Sequence, residues 1–220
     1  MSLTPKAQRT RAQILEVALQ LFAERGYAQT TMRDIASEAG FSTGLTYRYF
    51  RRKEELALAL YAQLADQLVE VAADLPEGSA GERVAALLQA KLDLLEPHRG
   101  ALTALFAAAL DPKDDVGVLS DATGPVRERV QEAFRVALAG SDLPAAQVEA
   151  MVPRIYGLHL LAVLAWTQDR TEDHAVSRQF VALVRDLLAF GLPLLQLPVA
   201  APMLGRLDAF THTLLHREEA

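Results

Sequence analysis

The residues able to do chemistry in this 220-residue chain are concentrated at one end. Positions 1–53 hold nine basic side chains (Lys6, Arg9, Arg11, Arg25, Arg33, Arg48, Arg51, Arg52, Lys53) against four acids (Glu16, Glu24, Asp34, Glu38), a net charge of +5. The remaining 167 residues hold 13 basic and 24 acidic side chains, a net charge of −11, so the overall −6 averages two opposite regions. A basic module on an acidic body points to a polyanion at one end only. Within the module, Thr43-Gly44-Leu45-Thr46-Tyr47-Arg48-Tyr49 is rich in small, polar and aromatic residues. Gly44 lets the backbone approach a surface closely. Thr43, Leu45 and Arg48 have the chemistry to meet base edges, and the Tyr47 and Tyr49 hydroxyls to meet phosphates. Arg51-Arg52-Lys53 follows at the start of a helix, where the dipole favours acids, and a docked phosphate would relieve that conflict. The plain alternative for such a run is a solvated basic turn.

Other chemistries find little footing. The chain has no cysteine, which excludes disulfides, thiolate metal sites and cysteine nucleophiles. Its five histidines (98, 159, 174, 212, 216) form no His-Glu-x-x-His pattern, and no P-loop, dinucleotide fingerprint or nucleophile elbow is present. His212 and His216 are spaced i, i+4 on the last helix, a pattern better read as a solvated face. We expect no enzyme activity, no catalytic residues, no metal and no cofactor.

The elements that position these residues are helices. Apolar residues recur at helical spacing almost throughout, and strand-like alternation is scarce. Ile14, Leu15, Ala18, Leu21 and Phe22 form one stripe, ended by Gly26. Thr31-Met32-Arg33-Asp34 reads as a capping box opening a short helix closed by Gly40. Ser42 caps a third helix at about 43–49, and a long fourth helix carries Leu56, Leu60, Leu64, Leu68 and Val71. This short helix, tight turn and second short helix is what a helix-turn-helix needs. Further helices are expected at about 82–95, 98–110, 124–139, 145–168 (kinked or divided at Pro153), 172–192 and 203–216. Leu187–Leu204 is an 18-residue stretch without charge, but Pro193, Pro198 and Pro202 fall inside it, so it reads as a helix end and linker rather than a membrane span. The N-terminus lacks a signal-peptide core, and a cytoplasmic protein without membrane contact is expected. The fold class is therefore all-α. An N-terminal three-helix helix-turn-helix domain (1–54) precedes a larger helical ligand-binding and dimerisation domain (55–220).

Residues 10–62 carry enough landmarks to be compared with a known family: Phe22, Gly26, Thr31, Ile35, Ala36, Gly40, Ser42, Gly44, Tyr47, Tyr49, Phe50 and Lys53. This segment, about a quarter of the chain, closely resembles the DNA-binding domain of the TetR family of bacterial regulators. The resemblance implies a homodimeric repressor whose C-terminal domain binds a small-molecule inducer. It implies phosphate contacts from Thr31, Ser42, Tyr47, Tyr49 and Lys53, and places Thr43, Gly44, Leu45 and Arg48 nearest the bases. Two recognition heads would address half-sites about 34–36 Å apart in a palindromic double-stranded DNA operator. An effector in the body would move the 54–72 helix and change the separation of the heads. Three positions depart from the family pattern: Thr43 where Lys is common, Thr46 where an apolar core residue is usual, and Arg52 in place of a small N-cap. The first two support the alternative of a helical ligand-binding or protein-interaction module whose head no longer binds DNA.

The body carries no motif of comparable density. The helix at 145–168 is apolar around most of its circumference, so with the helix at 172–192 it is expected to serve both core and homodimer interface. The candidate residues for an unknown small-molecule effector are Phe106, Phe134, Tyr156, His159 and Trp166. His159 is the sharpest, a polar group on an apolar helix, although a satisfied core histidine is the ordinary explanation for such a residue.

Overall fold

A computed structural model of the protein describes residues 4–111 and 114–195, together with 202, 203, 205, 206 and 209. Among the described residues there are nine α-helices and no strand: α1 Pro5–Arg25, α2 Met32–Glu38, α3 Thr43–Tyr49, α4 Lys53–Ala73, α5 Ala80–Leu95, α6 Arg99–Leu110, α7 Gly124–Ala139, α8 Ala145–Gln168 and α9 Ala175–Leu195. The protein is all-α, as its periodicity predicts. The helix expected at 203–216 falls mostly outside the described residues, as do His212 and His216, while 203, 205, 206 and 209 are helical.

Two expectations are revised. Of the kink or division expected at Pro153, the division does not occur, and α8 is continuous from 145 to 168. A proline removes one intrahelical hydrogen bond, to the carbonyl four residues back. Here that residue is Glu149, which is exposed. The last long helix starts at Ala175, after a 3-10 turn at Glu172–His174, and runs past Pro193 to Leu195. A proline in the last turn forfeits a single bond and does not stop the helix before it.

The chain packs as two compact units, one made of residues 1–64 and 95–126, the other of 65–94 and 127–220. The expected division at 54/55 follows function, whereas these units follow packing. Helix α4 supplies residues to both.

In the first unit, Ile14, Ala18, Leu21 and Phe22 of α1, Ile35 and Ala36 of α2, and Phe50 are buried. Phe22 meets Tyr27 edge-on at 5.0 Å between ring centres. Gly40 takes φ +71° in the α2–α3 turn, a left-handed conformation that side chains resist. Helix α6 joins this unit by packing on α1. At Gly100 the helices come so close that a Cβ would lie 2.7 Å from the Cβ of Ala23.

In the second unit, Arg83 of α5 is buried as a three-way tie. Its Nε donates to the Ala137 carbonyl at 2.6 Å, and its Nη1 donates to the Leu75 carbonyl at 2.8 Å and to that of Pro76. Helices α8 and α9 pack together, with Asp169 pinning their junction. Its carboxylate accepts from the Thr171 N–H (3.0 Å) and hydroxyl (2.5 Å), and from the Ser177 N–H (2.8 Å) and hydroxyl (2.7 Å). Burial pushes the Asp169 carboxyl up, but these four donors outweigh it and hold it well below the usual carboxylate range. By length and apolar composition alone α4 and α8 are long enough to cross a membrane, a test that core helices of soluble proteins also pass.

Candidate functional site

The basic module is assembled from short helices whose ends are capped by their own side chains. The Thr31 hydroxyl accepts from the Asp34 N–H at 3.2 Å, while the Asp34 carboxylate accepts from the Thr31 N–H at 2.9 Å and its hydroxyl at 2.6 Å. That is the capping box read from Thr31 to Asp34, and the Thr31 hydroxyl holds the carboxyl of Asp34 below its ordinary range. The Ser42 oxygen accepts from the Leu45 N–H at 3.2 Å and starts α3 as expected. Its O–H remains a donor, whereas the Thr31 hydroxyl already donates within its own turn.

Helix α3 has one inward and one outward face. Thr46 and Phe50 are buried, Leu45 and Tyr49 are half-buried, and Thr43, Gly44, Tyr47 and Arg48 are exposed together with Ser42. Thr46 therefore occupies the core position that its spacing suggests. Its hydroxyl is accounted for, donating to the Ser42 carbonyl at 3.3 Å, so the residue seats α3 without an unsatisfied polar group.

The run at 51–53 is more constrained than its sequence suggests. The Arg51 N–H donates to the Glu55 carboxylate at 2.9 Å, and Glu54 and Glu55 lie in the first turn of α4. The dipole conflict is thus answered from within the chain. Arg52 forms an ion pair with Asp115, 63 residues away. The Lys53 ammonium donates to the Tyr27 carbonyl at 2.9 Å and lies 4.3 Å from the centre of the Tyr27 ring. The Tyr27 hydroxyl in turn donates to Glu54 at 3.1 Å, and burial, followed by that carboxylate, pushes its pKa up. The Lys53 ammonium has two further N–H donors. Among the described residues, the exposed basic groups of 48–53 without an ion pair are Arg48 and Arg51, since exposed Arg52 is held by Asp115.

The effector candidates divide between the units. Phe106 belongs to the first, and Phe134, Tyr156, His159 and Trp166 belong to the second, where all four are buried. Three of them meet: the His159 ring centre lies 5.7 Å from that of Phe134 and 5.4 Å from that of Tyr156. Neither nitrogen of His159 has a hydrogen-bond partner among the described residues. Burial, and then the positive charge of Lys91, lowers its pKa to about 3, against a small opposing pull from the nearby Tyr156 carbonyl. The imidazole is neutral at physiological pH.

Sequence reasoning missed Lys91. It lies on the stripe Val84, Leu87, Leu88, Leu92, Leu95 of α5, at i+4 from Leu87 and i+3 from Leu88, so a cation on a core face was legible from spacing alone. It is buried, and desolvation lowers its pKa to about 8.

A second face of the same unit is apolar and exposed. Leu183, Leu187 and Phe190 of α9 recur at i, i+4, i+7, with Phe190 76% exposed, and Leu161 and Leu164 of α8 are exposed as well. A Cβ added at Gly157 on α8 would meet open space.

Against known proteins, the model of the family described as bacterial regulatory proteins, tetR family, matches residues 14–60. The chain is 38% identical over 90 residues to the HTH-type transcriptional repressor KstR2 of Mycobacterium tuberculosis, covering 40% of this chain and 45% of that protein. It is 49% identical over 59 residues to the HTH-type transcriptional regulator TtgR of Pseudomonas putida, covering 27% and 28%. The chain thus spans less than half the length of these curated relatives. Across nearly the whole length, a tetR-family transcriptional regulator from Streptomyces coelicolor has a similar structure (TM-score 0.62, 26% identity, covering 97% of this chain and 91% of that one).

Proposed function

We propose that this chain, whose N-terminal module belongs to the tetR family of bacterial regulatory proteins, is a transcription regulator that binds a palindromic DNA operator as a homodimer. In this reading it acts in the cytoplasm as a repressor, is released by a small-molecule effector, and is not an enzyme.

The observation that carries the reading is the two-faced α3. Its buried Thr46, with buried Phe50 just after it, fixes the helix, and Thr43, Gly44, Tyr47 and Arg48, with Ser42 just before it, stand outward on a module of net charge +5. In the major groove, Arg48, Thr43 and Leu45 would read base edges. Thr31, Ser42, Tyr47, Tyr49 and the remaining donors of Lys53 would hold phosphates. A head that no longer binds DNA loses its main support, since Thr46 completes the packing of α3 instead of loosening it.

Homodimerisation is supported by the exposed apolar stripe of α9 and the small and apolar face of α8. A soluble chain does not leave such a stripe in water when a second copy can bury it. Helix α4 belongs to both compact units, which makes it the covalent route by which an effector in the body would shift the heads. Phe134, Tyr156 and His159 are the effector residues favoured here, with Trp166 buried in the same unit.

The test is fluorescence anisotropy of the full chain with duplex DNA flanking its own gene. Arg48→Ala is expected to weaken binding about tenfold or more. Equal affinity for wild type and Arg48→Ala, or no binding to any flanking segment, contradicts the reading.

A further inference from the structure

Two buried basic side chains of the second unit lack partners that their chemistry requires. Lys91 of α5 is 7% exposed and His159 of α8 is 5% exposed. Among the described residues, Lys91 makes no ion pair or hydrogen bond, and both nitrogens of His159 are fully enclosed without a hydrogen-bond partner. No carboxylate acts on either group. The charge that His159 senses is that of Lys91 itself. Tyr156, also more than nine-tenths buried, adds a hydroxyl with no hydrogen bond to a described residue, and the charge acting on it is again positive, that of Arg127. Buried cations are normally paired, because desolvating an isolated ammonium costs several kcal/mol. Arg83 on the same helix shows the ordinary solution, with its guanidinium on three carbonyls.

We infer that Lys91 and His159, with Tyr156 against the His159 ring, form the receptor for the carboxylate head of the effector, whose apolar body lies against Phe134 and Tyr156. The inference rests on the effector-binding reading above and adds the chemical class of the ligand. A carboxylate supplies what the three groups lack together. It carries the negative charge that the ammonium needs and has enough lone pairs for the Lys91 N–H donors, one imidazole N–H and the phenolic O–H. A neutral polar ligand would satisfy the hydrogen bonds but leave the charge unbalanced. A cationic ligand would add a further positive charge to a site that has no anion.

Isothermal titration of the full chain with decanoate and 4-phenylbutyrate, each beside its matching alcohol, tests the site. Both carbon skeletons are included so that chain shape does not decide the outcome. At least one carboxylate is expected to bind wild type, with its alcohol about tenfold weaker or more, and Lys91→Met is expected to remove that preference. A second measurement needs no ligand. Because the unpaired cation destabilises the free protein, Lys91→Met is expected to raise its Tm by about 3–8 °C. A fall in Tm on Lys91→Met, equal binding of acid and alcohol, or no binding of either acid overturns the proposal. Operator DNA separates the two readings. Carboxylate binding that depends on Lys91 but does not change DNA affinity keeps this site and removes its role as an effector site. DNA release by an alcohol as readily as by its acid keeps the effector and removes the carboxylate.

Discussion

The two compact units bury different kinds of polar group. In the first, the buried polar side chains among the described residues are hydroxyls, Thr30, Thr46 and Thr123, each donating to a backbone carbonyl no more than nine residues away. In the second they include charge: Arg83, Lys91 and Asp169, with His159 and Ser177. The first unit keeps its cations on the outside, where a polyanion can reach them. The second takes charge inward, where it is either fully engaged, as in Arg83 and Asp169, or left for something else to engage, as in Lys91. Under the proposed function, a surface for a duplex and an interior for a small molecule would place their charges in these opposite ways.

The largest expected effect sharpens the contrast between two cations of one helix. Arg83→Met strands the buried carbonyl of Ala137 and the part-buried carbonyls of Leu75 and Pro76, and is expected to lower stability by about 3–5 kcal/mol, a fall of roughly 10–15 °C in Tm. This is opposite in sign to the effect expected at Lys91.

Next is Asp169→Ala, expected to lower Tm by roughly 5–10 °C at neutral pH by releasing the junction of α8 and α9. The folded pKa of Asp169 is depressed, so its contribution is fully present above the unfolded carboxylate range and is lost as pH falls through the folded value. The gap between wild type and Asp169→Ala should therefore be constant above about pH 5 and narrow below about pH 4, as followed by thermal melts across pH.

Phe190→Glu places a charge in the exposed apolar stripe. It is expected to weaken self-association about thirtyfold, roughly 2 kcal/mol, in sedimentation equilibrium while leaving the melting of the monomer unchanged. An unaltered association constant would remove α9 from the interface.

The smallest effect is at Thr46. Thr46→Val keeps the volume and removes a locally satisfied hydroxyl, so stability is expected to change by less than about 1 kcal/mol with DNA affinity retained.

How much of this was legible in the chain depends on range. The head could be read because its signals are local: the Thr31–Asp34 box, the Ser42 cap, Gly26 and Gly40, and the apolar stripe of α1 all act within a few residues. The division of α3 into inward and outward faces follows from the same spacing. Longer-range facts were not legible. Nothing in the run at 51–53 announces that Arg52 pairs with Asp115, or that Lys53 turns to the carbonyl of Tyr27. The apolar run of α6 does not say that it packs on α1 at Gly100. His159 could be singled out on its own helix, and Lys91 stood plainly on the core stripe of α5, yet the action of the Lys91 charge on His159 exists only in the folded chain. Whether Pro153 divides α8 or is carried within it was not legible either, because the cost of a proline depends on whether the freed carbonyl can reach water.

The central claim is that the positive head meets DNA in spite of the overall charge of −6. Its most direct test is the dependence of operator affinity on salt, measured by anisotropy between about 50 and 200 mM for wild type and Arg48→Ala. The slope of log K against log salt changes by about −0.9 for each phosphate neutralised, so two heads should give about −5 or steeper for wild type, and Arg48→Ala should lower affinity across the whole range. A slope near zero, with Arg48→Ala indistinguishable from wild type, would contradict the account.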